Sequence, residues 1–140
     1  MLLTKESDYG IRVIRALVSD EKKNVKEICD AEHIPNQYAY KILKKLEHAG
    51  FVQSLRGRDG GYKLTKPLDA YSLYDVVVAL DGDFVIFECL RKSSACAFKD
   101  EKHPCKAHAE FERLQRLLEN EMRGVTMEKL LDMKTIKGGQ

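Results

Sequence analysis

The sequence predicts a mainly α-helical chain with one small β-hairpin near its middle. Three observations carry that expectation. Apolar residues recur at helical spacing in several segments of the 140 residues. Between Phe51 and Thr65 the period changes to two short strand-like runs around Gly57-Arg58-Asp59-Gly60-Gly61. From about Pro104 to Arg123 a helical stripe returns and makes the longest helix expected.

The first helix is expected over residues 8–18, where Tyr9, Val13 and Leu17, with Ile14 and Val18, follow i, i+4 spacing. Thr4 or Ser7 is available as its N-cap. Asn24, with Glu27 three positions on, resembles a capping box. It opens a second helix reaching about Glu32, with Val25, Ile28 and Ala31 inward and Cys29 a small core or half-buried residue. Pro35 pushes Ile34 out of the α region, and Asn36 can cap a third helix, Gln37 to Ala49. Ala39, Ile42, Leu43 and Leu46 share one face of it; Lys41, Lys44 and Lys45 lie elsewhere, and Gly50 stands where a left-handed residue ends a helix. Two short helices on a tight turn are a helix-turn-helix, whose second helix enters a DNA groove.

In the hairpin the glycines are expected to supply positive φ and to let the backbone approach a ligand. Arg56 and Arg58 at its tip suit a wing lying along phosphates. No helix follows these glycines, which excludes a nucleotide phosphate loop. Ser72 caps a helix from Leu73 to Leu80, supported by Asp75 and ended by Gly82, and Val76-Val77-Val78 implies burial on more than one side. Residues 83–104 have no period. The stripe Phe111, Leu114, Leu117, Leu118 and Met122 on the long helix is expected to pair with another subunit. Thr126 caps a last short helix through Met127, Leu130 and Leu131, and residues 136–140 read as a tail. The fold class is therefore a winged helix-turn-helix plus a long C-terminal dimerisation helix. Its expected parts are a DNA-binding unit (1–82), a cysteine-rich sensory loop (83–104), and a dimerisation helix with the C-terminal helix (105–140).

Charge and cysteines are both unevenly spread. Net charge is only +2, yet residues 37–66 carry seven Lys or Arg against two Asp or Glu. Such a local excess is the footprint of a polyanion-binding face. No apolar run approaches the roughly 18 residues of a membrane span. The start, Met1 to Glu6, is too short and charged for a signal peptide. No membrane association and a cytoplasmic location are expected. In a reducing compartment the grouping of Cys89, Cys96 and Cys105 points to metal or redox chemistry rather than disulfides.

Leu3-Thr4-Lys5-x-x-Asp8-Tyr9, the helix-turn-helix, and Leu55-Arg56-Gly57-Arg58-Asp59-Gly60-Gly61-Tyr62-Lys63-Leu64 closely resemble the Rrf2 family of bacterial regulators, which includes the IscR-type and NsrR-type iron–sulfur transcription factors. The likeness runs from Leu2 to Leu131. It implies a homodimer on a partly palindromic double-stranded operator. It also implies base contacts from Asn36, Gln37, Tyr40 and Lys41, with backbone or minor-groove contacts from Arg56, Arg58 and the wing glycines Gly57, Gly60 and Gly61. Cys89, Cys96 and Cys105 fall where the family holds an iron–sulfur cluster, [2Fe-2S] or [4Fe-4S], with His108 matching one type of fourth ligand and Asp8 the other. Two features depart from the family. The spacing Cys89-x6-Cys96-x8-Cys105 is longer than in compact loops, and Asp59 stands where glycine is common, although aspartate tolerates a left-handed turn.

Three thiolates and one histidine also suit tetrahedral zinc, but intervals of six and eight residues lack the short knuckle of structural zinc sites. Three grouped cysteines are equally compatible with a metal-free thiol switch, or with a loop that holds no ligand. No C-x-x-C motif is present, which disfavours an enzyme such as a small thiol oxidoreductase. The basic stretch disfavours an iron–sulfur assembly protein. His33 and His48 read as helix-end residues, and His103 is a weaker candidate ligand.

Overall fold

The computed structural model describes residues 3–19, 21–92 and 105–132. Helices α1 (Lys5–Ala16), α2 (Val25–Glu32) and α3 (Asn36–His48) precede a hairpin of β1 (Val52–Leu55) and β2 (Gly61–Leu64), and α4 (Leu73–Asp81), α5 (Lys106–Arg123) and α6 (Met127–Leu131) follow. Short 3-10 turns lie at Leu68–Ala70 and Glu88–Leu90. None of the described helices is long and apolar enough to cross a membrane.

Thr4, not Ser7, caps α1, so the helix begins three residues earlier than its apolar period announces. Ser7 is buried inside the first turn, and its hydroxyl donates to the Asp81 carboxylate, as does that of Thr4. Asn24 caps α2 by accepting from the Glu27 N–H at 2.9 Å. The Glu27 carboxylate answers the Asn24 side-chain amide at 3.0 Å, instead of its backbone as a full capping box would. Ala31 faces solvent; Ile28 and Cys29 are the residues of α2 that are buried. Burial pushes the Cys29 thiol above its ordinary value, with Asp30 adding to the effect.

His33 turns the chain in the left-handed region (φ 54°, ψ 48°). Asn36 does not cap α3. Pro35, extended at φ −61° and ψ 137°, occupies the cap position, and its carbonyl accepts from Tyr38 and Ala39. At the other end Gly50 (φ +84°) donates to the Glu47 carbonyl while Phe51 donates to that of Leu46, a Schellman ending.

The strands pair antiparallel from Val52 with Leu64 to Leu55 with Gly61. Lys23 and Tyr62 exchange backbone hydrogen bonds of 3.1 and 2.8 Å, which fastens the hairpin to the α1–α2 connection. A complete capping box of Ser72 and Asp75 starts α4. The valine run does face two ways. Val76 joins the large core of α1, α2, α3 and the hairpin, and Val77 joins a second core with Phe84 and Met122. Helix α6 returns to the first core, where Met127 is fully buried.

The inward line of α5 differs from the expected stripe. It runs through Phe111, Gln115, Leu118 and Met122, an i, i+4, i+7, i+11 series, while Leu117 is 56% exposed. Two of the five predicted residues thus pack against their own chain's second core, and Phe111 stacks on Phe87. Residues 136–140, Cys96, His103 and Pro104 lie outside the described residues.

Candidate functional site

The first turn of α3 presents Asn36, Gln37 and Tyr40 to solvent, Tyr40 at 61% exposure, because Ala39, Ile42, Leu43 and Leu46 take the opposite face. Free N–H groups at a helix start favour an anion there. Lys41 is exposed but engaged: its ammonium stands 2.7 Å from the Glu6 carboxylate of α1. Lys45 also binds Glu6 and donates to the Leu80 carbonyl at 2.9 Å. Hydrogen bonds from Lys41 and then Lys45 hold the Glu6 carboxyl below its usual range, and the same pairing raises Lys41. This carboxylate clamp is a feature the sequence did not announce, since its members lie 35 and 39 residues from Glu6.

At the wing tip Arg56, Gly57, Arg58 and Asp59 are exposed. The glycines act differently from expectation. Only Gly57 has positive φ, +116°. At Gly60 a Cβ would come 2.5 Å from the Leu55 carbonyl oxygen, and at Gly61 2.8 Å from that of Lys23. These two are required by close approach of the chain to itself. Asp59 takes no left-handed conformation; among described non-glycine residues only His33 and Asp132 have positive φ.

The predicted ligands lie in a second region. Cys89 sits half-buried in the 3-10 turn Glu88–Leu90, which packs on α5, and Cys105 occupies the N-cap of that helix. Both are free thiols. His108, one turn on, is largely covered, and its Nε2 lies 3.3 Å from Glu112. Asp8 pairs instead with Arg12 at 3.1 Å on α1. Among the described residues no three His, Cys, Asp or Glu side chains stand close enough to hold a metal ion. The donor chemistry nonetheless fits an iron–sulfur group: soft thiolates flank one helix–turn contact, with an imidazole on the same helix.

Sequence reasoning also missed Gln115. It is 8% exposed on α5; its amide donates to the Phe84 carbonyl at 2.6 Å and to Glu119 at 2.8 Å, and its oxygen accepts from the Ile86 N–H at 2.8 Å. The interruption of an apolar line by a glutamine was the signal available.

Residues 3–133 match the Rrf2 family, described as iron-dependent transcriptional regulator. The HTH-type transcriptional regulator NsrR of Oceanobacillus iheyensis is 35% identical over 97 residues, 67% of this chain and 66% of that protein. Protein aau3 of Rhizobium meliloti is 34% identical over 91 residues, 64% of this chain and 59% of its own length. The match thus spans less than two thirds of either relative. Among solved structures, CymR, the global cysteine regulator of B. subtilis, superposes with a TM-score of 0.73 at 20% identity, covering 93% of this chain and 95% of CymR. At that identity the likeness is one of fold.

Proposed function

Because this chain belongs to the Rrf2 family of iron-dependent transcriptional regulators, we propose that it binds double-stranded DNA as a homodimer and adjusts that binding through Cys89, Cys96 and Cys105. The chain is a winged-helix transcription regulator and not an enzyme. The observation that supports DNA contact best is the pairing of a polar, exposed α3 start with an exposed two-arginine wing tip on a well-packed core. Asn36, Gln37 and Tyr40 read base edges, and Lys41 joins them by leaving Glu6. Arg56 and Arg58, on a tip shaped by Gly57, Gly60 and Gly61, follow phosphates or the minor groove. Two such units on a partly palindromic duplex set their recognition helices about 34 Å apart, or a multiple of it.

Leu117, with Leu114 beside it, supports pairing of α5 with a second copy in the cytoplasm, because the inward line of that helix leaves them aside. The functional parts are residues 1–82 for DNA, 83–104 for sensing and 105–140 for dimerisation. Cys89, Cys96 and Cys105 would hold an iron–sulfur cluster, with His108 or the Asp8 of a second copy as fourth donor. When bound, such a cluster supplies a reversible change of charge and of ligand hold. The segment carrying Cys89 joins the DNA-binding unit to α5, so its movement would alter the spacing of the recognition helices.

A second reading is a metal-free thiol switch. The free, half-buried Cys89 and Cys105 and the fold likeness to CymR favour it. Binding to random and palindromic duplexes over a salt series tests the DNA reading: a slope of log K against log salt near zero would refute it. An absorption spectrum of anaerobically prepared protein tests the cluster. Colourless, metal-free protein whose DNA affinity changes on mild oxidation selects the thiol switch, and stoichiometric zinc without iron overturns both.

A further inference from the structure

The inward line of α5 runs Phe111, Gln115, Leu118, Met122, and three of its four members are apolar residues packed against neighbouring side chains. Position 115 is where a leucine would be the inexpensive choice. A buried carboxamide there forfeits hydration, and it is tolerated because both of its N–H groups and its oxygen have hydrogen-bond partners. Two of the three bonds go to the backbone of a single segment, accepting from Ile86 and donating to Phe84. A carboxamide is the group that does both at once, since its oxygen and its N–H lie side by side. One turn toward the helix start, Phe111 stacks on Phe87 with ring centroids 3.6 Å apart and planes 14° from parallel. The segment is then tied twice as it runs along α5. Directly after the second tie the chain enters the turn that carries Cys89, and this turn packs on the same helix whose N-cap position Cys105 occupies.

We propose that Gln115 is the positioning residue of the cysteine segment: its carboxamide fixes Phe84–Ile86 against α5 and so sets where Cys89 stands relative to Cys105. This rests on Cys89 being a sensory thiolate, but the placement itself is independent of what the thiolate binds. Apolar packing alone lets a segment slide along a helix at small cost. A pair of directional bonds to one carboxamide fixes its register. Phe111 adds burial without register, because stacked rings tolerate offset.

The test uses the full metal-free chain, with amide exchange at Ile86 and alkylation of each cysteine mapped by mass spectrometry. Gln115→Leu keeps the volume and removes both bonds. Exchange at Ile86 is expected to accelerate by about tenfold or more, and Cys89 alkylation to rise severalfold, with Cys29 unchanged. Gln115→Glu guards against misfolding of the first variant. Its carboxylate still accepts from the Ile86 N–H but cannot donate to Phe84 and opposes both that carbonyl and Glu119, so protection at Ile86 falls at neutral pH and recovers on acidification, when the protonated acid donates again. Unchanged exchange and alkylation in either folded variant overturn the proposal. Cluster retention is read separately: if wild-type protein takes up no iron, the cluster reading fails while the exchange and alkylation results still decide the role of Gln115.

Discussion

Gly61→Ala is the substitution for which the geometry makes the sharpest statement about the wing. A Cβ at this position would lie 2.8 Å from the Lys23 carbonyl oxygen, 2.9 Å from its carbon and 3.3 Å from the Asn24 nitrogen. All three are backbone atoms, so no flexible side-chain end can move aside. Relief requires β2 to move off the α1–α2 connection, which breaks the two hydrogen bonds exchanged by Lys23 and Tyr62. At about 0.5–1.5 kcal/mol each, the expected loss of stability is about 1–3 kcal/mol. For a chain of this size that lowers Tm by roughly 4 °C per kcal/mol. The function should suffer beyond stability, because Arg56 and Arg58 ride on this hairpin. If each neutralises one phosphate, displacement of the wing flattens the slope of log K against log salt by up to about 1.8. Gly57→Ala is the control: nothing lies within 4 Å of its Cβ, and its cost is the strain of φ +116° at the tip. Amide exchange separates the two, since only Gly61→Ala should expose the Lys23 and Tyr62 amides. Retained protection there, with an unchanged salt slope, would refute the view that Gly61 docks the wing.

Glu6→Gln should release Lys41 and Lys45, raising affinity for all DNA sequences and steepening the salt slope by up to about one unit, read by fluorescence anisotropy. A carboxyl held low in the folded state stabilises above its unfolded value and ceases to do so as pH falls through the folded one; wild type therefore loses this contribution below the usual carboxyl range, and acid unfolding of Glu6→Gln should be correspondingly shallower. Gln37→Ala should relax preference at one base pair by about 1–3 kcal/mol, measured on a panel of single-substituted operators. Arg56→Ala should weaken every sequence alike. Alanine at Cys89, Cys96 or Cys105 should abolish visible absorbance of anaerobic protein; His108→Ala should leave a labile or shifted spectrum and Asp8→Ala a nearly normal one, and the reverse order would assign the fourth position to Asp8.

Elements with local signals were legible from sequence. Asn24, Ser72, Thr126 and Gly50 announce helix ends through contacts three or four residues away, and each stands at the end expected. Misreadings arose where a neighbour, near or distant in sequence, decides rather than the residue's own type. Asn36 looked like a cap, but Pro35 already offers an extended residue with a free carbonyl one position earlier. Gly60 and Gly61 looked like positive-φ residues, whereas the carbonyls of Leu55 and Lys23 exclude a side chain there. Ala31 falls on the helical period of α2, yet a short helix at the surface buries only what α1 and α3 cover. Phe111, Leu114, Leu117 and Leu118 are all apolar, and apolarity alone does not say which of two faces meets the protein's own core.

The polar contacts that link the two regions were the least legible, because each spans dozens of residues. Their common member is α4. Its Val76 packs in the first core and its Val77 in the second, beside Phe84 and Met122. At its end the Leu80 carbonyl accepts from Lys45 of α3, and Asp81 accepts from Thr4 and Ser7 of α1. Gly10 of α1 lies against the buried Leu80 side chain, where a Cβ would fit only if Leu80 moved. A displacement of Phe84 is therefore resisted first by Val77, then through α4 by the same residues that hold Glu6 and Lys41 in place. Valines, a carbonyl and a glycine carry no functional label in sequence. Their role follows from position: one helix, with Val76 in the first core and Val77 in the second, cannot shift against one region without disturbing the other.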